Sequence, residues 1–212
     1  MRTFLRANFK GFEREQQLLL RGAPKFGNDD DAVDGLAVRF VRDYARLYEE
    51  YRTPQGGRYW ALMASNISNI WAGTQLGATP DGRLALTPLS DAASPSFGRD
   101  LRGPTTTIRS IAKIPYELCV GGNVVNMKLH PTSIQGPGGL NALSALIRTC
   151  FDLGGIELQF NTTDRKVLED AMLHPAHYEN LVVRVSGFSA NFVWLESSVQ
   201  KDILARTEHH LA

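Results

Sequence analysis

Arg184-Val185-Ser186-Gly187-Phe188-Ser189-Ala190 is the segment of this sequence with the most distinctive chemical potential. A glycine stands between a serine and an aromatic, at the end of the apolar run Leu181-Val182-Val183-Arg184-Val185. Such a glycine has a backbone reading: positive φ, a tight bend or the close approach of another chain segment. It also has a chemical one. Glycine's Cα can lose a hydrogen atom to leave a radical that no side chain twists out of plane, and the flanking amide groups delocalise the electron. These seven residues alone leave both readings open.

Other reactive side chains form no assembled set. His130 ends a strand-like run before Pro131 and is a candidate pocket residue, whereas His174, His177, His209 and His210 are expected in solvent. Cys119 and Cys150 lie in apolar surroundings, where burial raises the thiol pKa and suppresses reactivity. Neither a CxxC pair nor a Cys/His cluster suggests a metal, and Gly121-Gly122-Asn123 lacks the spacing and helix of a nucleotide-binding turn.

The elements that position this segment follow from pattern. The 212 residues, with a net charge of +1, 43% hydrophobic and 21% charged, fit an ordinary globular chain. Interspersed charge argues against nucleic-acid binding. No apolar run is long enough to span a membrane, and the start lacks a secretory core, so a cytoplasmic protein is expected. Apolar spacing predicts helices over residues 4–20, 31–51, 106–114, 140–153, 164–174 and 197–207. Strands are expected within 59–70 and over 124–129, 156–160 and 181–185, and residues 73–103 read as a long loop region. Helix, glycine pair and strand in succession at 140–160 indicate an α/β unit.

The glycine segment has company. Pro24 to Asp30, Thr79-Pro80-Asp81-Gly82-Arg83, Asp91 to Asp100, Gly103-Pro104-Thr105, Phe151 to Gly155, Gln159-Phe160-Asn161, His174-Pro175 and Ala205 to His209 occur in the order found in glycyl radical enzymes. The chain resembles the C-terminal part of that family, in the branch of pyruvate formate-lyase-like, glycerol-type and choline-type enzymes. The resemblance implies an α/β fold: the C-terminal part of a ten-stranded barrel over residues 1–160, then a glycyl radical domain over 161–212. It implies that Gly187 carries the radical, with Arg184, Val185, Ser186, Phe188, Ser189 and Ala190 as its loop environment, buried against solvent and oxygen. No bound cofactor or metal is implied. A radical S-adenosylmethionine activating enzyme with an iron–sulfur cluster would install the radical.

The family's catalytic cysteine lies in a Cys-x-Glu motif, which neither Cys119 nor Cys150 matches. The resemblance therefore implies an N-terminal barrel complement as partner, an oligomer, and little activity alone. The implied chemistry is anaerobic radical cleavage of C–C, C–O or C–N bonds, of dehydratase, lyase or formate acetyltransferase type. A stand-alone radical carrier that repairs an oxygen-damaged enzyme, or a non-catalytic remnant, are the alternatives.

Overall fold

A computed structural model describes residues 1–211. Helices α1 (Arg2–Arg6) and α2 (Glu13–Arg21) replace the single helix expected over 4–20. The backbone between them turns left-handed at Asn8, Phe9 and Gly11, which ends an α-helix whatever the apolar spacing says. Helix α3 (Asp31–Glu49) starts where the Asp30 carboxylate accepts from the Ala32 N–H at 3.1 Å.

The strand expected within 59–70 is only an extended segment. Met63 makes one parallel bridge to Asn123, Asn66 has φ 53°, and α4 (Ser68–Thr74) begins two residues later. Helices α5 (Pro104–Ala112) and α6 (Gly136–Asp152) fall near their expected places. The Gly136-Pro137-Gly138-Gly139 run lies inside the first turn of α6, where proline's missing N–H removes no helical hydrogen bond.

Strand β1 (Asn126–Leu129) is central to a small parallel sheet, flanked by β2 (Gln159–Asn161) and by β5 (Glu208–His209). Helix α6 makes the crossover from β1 to β2, as parallel neighbours require. Alternation gives this sheet two unlike faces. Val125, Met127 and Leu129 are buried, the first two against Ile108 and Ile111 of α5, Leu146 and Cys150 of α6, and Val41 and Ala45 of α3. The register Asn126↔Gln159, Lys128↔Asn161 and Lys128↔Glu208 lines up five polar side chains on the other face.

A second apolar cluster packs beside that polar face. Helix α7 (Arg165–Leu173) contributes Leu168 and Ala171, and helix α8 (Ser197–Ala205) contributes Val199 and Ile203. The antiparallel hairpin of β3 (Val182–Arg184) and β4 (Ser189–Asn191) adds Val183, with Val185 and Phe192 just beyond the strand ends.

Among the histidines, His174, His177 and His210 are exposed as expected. His209 is not. Pairing of β5 with β1 draws it into the sheet, where it is buried with its Nε2 2.8 Å from Asp100 Oδ2.

Candidate active site at the Gly187 turn

Residues 185–188 link β3 to β4, with Ser186 and Gly187 at the centre of a turn closed by the Val185 N–H donating to the Phe188 carbonyl at 2.8 Å. Gly187 has φ +79° at the third position of this turn, where a side chain is disfavoured. A Cβ built there would still have room, its nearest neighbours being Asn66 Oδ1 at 3.8 Å and Val124 Cγ2 at 4.0 Å. The backbone reading of this glycine is therefore correct, and it leaves the chemical one standing.

Each residue leading into the turn is tied down from the polar face of the sheet, from Asp91 in the long loop or from Arg206 at the end of α8. Asn161 clamps Arg184 from both sides, donating to its carbonyl at 2.6 Å and accepting from its N–H at 2.8 Å. The Arg206 guanidinium donates to the carbonyls of Arg184 at 3.1 Å and Val185 at 2.6 Å. Ser186 Oγ donates to Asp91 Oδ1 at 3.1 Å. Finally, Gln159 Oε1 accepts from both the Gly187 N–H at 3.1 Å and the Arg184 Nε–H at 2.5 Å.

Buried charge anchors this arrangement. Asp91 also accepts from Ser65 and Asn126, and Arg206 lies 3.7 Å from Asp91 and 3.6 Å from Asp202. Burial disfavours the charged form of a carboxyl group. It pushes the Asp202 carboxyl up to about 6, against the pull of Arg206. Burial likewise lowers the Arg206 pKa.

The expected loop residues thus divide. Val185 and Ser186 are fully buried, while Arg184 and Ala190 are half-buried. Gly187, Phe188 and Ser189 are exposed, contrary to the expected burial of the loop. His130 stays out of the network. Its Nδ1 lies 2.6 Å from Thr132 Oγ1, and its ring stacks on His210 at 4.7 Å. Cys119 and Cys150 are fully buried, and burial raises both thiols, Cys150 to about 11. Asp91, Gln159, Asn161, Asp202 and Arg206 hold the turn, and sequence reasoning gave them no part in it; Asn161, expected there as a candidate cap of α7, leaves that place to Asp164. The available signals were Gln159 and Asn161 at strand spacing, two polar side chains on one face, and the motif segments that contain Asp91, Gln159, Asn161 and Arg206.

The architecture is that of an α/β polypeptide presenting a rigidly held glycine turn. Known proteins identify it further. A glycine radical family model matches residues 89–193, and a pyruvate formate lyase-like model matches residues 1–73. The probable dehydratase YbiW of Escherichia coli is 43% identical over 96% of this chain, and the trans-4-hydroxy-L-proline dehydratase of Clostridioides difficile is 37% identical. The glycerol-bound B12-independent glycerol dehydratase of Clostridium butyricum superposes with a TM-score of 0.94 at 43% identity, over 98% of this chain. The chain belongs to the glycyl radical enzymes and matches the C-terminal region of the dehydratase and lyase types. It spans about 26% of the length of these relatives.

Proposed function

We propose that Gly187 is the site of a stored glycyl radical, and that this chain acts as the radical-bearing C-terminal part of a dehydratase- or lyase-type enzyme. The carrying observation is the fixed geometry of the turn: four consecutive residues, 184–187, are each held by side chains from distant elements. A turn that served only to reverse the chain needs no such set.

In this reading an activating enzyme of the radical S-adenosylmethionine class removes one hydrogen atom from the Gly187 Cα. The exposed tip gives that enzyme access. The barrel complement, on the same polypeptide or another, supplies the cysteine to which the radical passes, because Cys119 and Cys150 are fully buried and neither stands in a Cys-x-Glu motif. That complement also covers the tip and shields it from oxygen. Several matched relatives are dehydratases, so elimination across a C–O bond is the favoured chemistry within the wider set of C–C, C–O and C–N cleavages. The radical domain begins near residue 160, and assembly with the complement yields the working oligomer. The pyruvate formate lyase-like match over residues 1–73 favours this reading over a small repair carrier.

Anaerobic activation should give a glycyl doublet by electron paramagnetic resonance, and admitting oxygen should then cleave the chain at Gly187. Gly187→Ala should still fold, losing about 1–2 kcal/mol to the left-handed backbone, and should give neither signal. A doublet that persists in this variant places the radical elsewhere.

A further inference from the structure

The turn's hydrogen bonds differ in what they touch. Asn161, Arg206 and Asp91 hold atoms that precede Gly187, whereas Gln159 alone of these engages a Gly187 atom, its amide N–H. Gln159 is 6% exposed and is fixed at both ends. The pairing Asn126↔Gln159 sets its place on the polar face of the sheet. Two donors, the Gly187 N–H and the Arg184 Nε–H, require the oxygen of its side-chain amide to face the turn. The amide nitrogen is thereby left toward Glu157, whose Oε2 accepts from the Val125 N–H at 2.6 Å.

We propose that Gln159 is a positioning residue for the Gly187 radical, setting the orientation of the glycine amide and polarising its N–H. This rests on the reading of Gly187 as the radical-bearing residue. A carbon radical flanked by an amide nitrogen and a carbonyl is stabilised when its half-filled orbital overlaps both groups. At φ +79° the resting amide plane stands steeply to the N–Cα–C plane, so overlap on the nitrogen side depends on how far the Ser186–Gly187 peptide turns once the hydrogen atom is lost. An acceptor on the N–H governs that turn and raises electron density on nitrogen, the electron-donating partner. No covalent step is involved, so the effect of Gln159 lies in the spectrum and lifetime of the radical.

Gln159→Met keeps the length of the side chain and removes the acceptor, whereas Gln159→Glu keeps the acceptor. In the chain labelled with ¹⁵N-glycine, one of 19 glycine signals is assigned to Gly187 by its disappearance in Gly187→Ala. Gln159→Met should move that amide proton upfield and speed its exchange roughly fivefold, the size expected for one lost hydrogen bond. Gln159→Glu should move it downfield and retain protection. After activation, electron–nuclear double resonance should find the N–H proton coupling altered in Gln159→Met and restored toward native in Gln159→Glu. A Gly187 amide unmoved in Gln159→Met, or an unchanged coupling, overturns the proposal. If Gln159→Met does not fold, a Gly187 amide unmoved in Gln159→Glu overturns it instead. A native chain that yields no doublet, with the amide response intact, overturns the radical reading itself.

Discussion

The apolar cluster around Phe192 and the polar seam around Asp91 lie side by side and do different work. The cluster joins α7, α8 and the β3–β4 hairpin by packing, which is non-directional and scales with buried area. The seam joins that body to the parallel sheet through side-chain hydrogen bonds and ion pairs, each with a required distance and angle. Packing alone would let the hairpin slide or tilt on the sheet by a fraction of an ångström. The seam removes that freedom at residues 184–187. The contrast teaches that this chain separates the forces that stabilise the hairpin from those that aim it.

The contrast breaks most visibly on the cluster side. Phe192 is fully buried, and Phe192→Ala should cost about 3–5 kcal/mol by loss of burial and creation of a cavity. Urea denaturation would measure it. A cost below about 1 kcal/mol, within the range of ordinary surface changes and small repackings, would mean that the seam rather than the cluster holds the second body together.

On the seam side the expected signature is a pH dependence of unusual sign. The Asp202 carboxyl rises to about 6 on folding, from an ordinary value near 3.8, chiefly through burial. The native state therefore binds this proton more tightly than the unfolded chain does. Its contribution to stability is greatest below about pH 4, falls as the pH rises through about 6, and is constant above that. The loss is on the order of 2–3 kcal/mol. Asp202→Asn, which cannot titrate, should gain on the native chain by that amount between pH 4 and pH 7. The difference between the two stability curves isolates Asp202 from the other carboxylates. A flat difference would mean that Arg206 and Asn69 compensate the buried charge fully, and the seam would then be as neutral in cost as the cluster.

The same division explains what could be read from the sequence. Helices α3 and α6 and the glycine turn follow from apolar periodicity and local backbone chemistry, and all three occur near their expected positions. The break at Asn8 was hidden because apolar spacing continues through it while the backbone does not. The seam was hidden for another reason. Ser186 meets Asp91 across 95 positions and Gly187 meets Gln159 across 28, so those pairings exist only once the sheet order is known. Burial of His209 has the same origin, since β5 pairs with β1 across the whole second body. The motif resemblance located the right segments, including Asp91, Gln159 and Arg206, without indicating that their side chains converge.

Phe40 tests the comparison from its weakest side, because it is apolar yet unburied. It is 68% exposed on α3, stacked against Tyr44 with ring centroids 5.9 Å apart, beside the similarly exposed Leu36 and Leu47. If apolar groups stabilise this chain only where they are buried, Phe40→Ala should change its stability by no more than about 0.5 kcal/mol. The consequence of that ring should appear instead in association, since contiguous exposed apolar surface drives contact with other chains. Sedimentation velocity across a concentration series should find the native chain self-associating and Phe40→Ala, or the harsher Phe40→Asp, less so. A native chain that remains monomeric throughout would remove the argument that this face is built to be covered. A large stability loss in Phe40→Ala would show that partial burial against Tyr44 does more than its exposure implies, narrowing the difference between the open face of α3 and the closed cluster around Phe192.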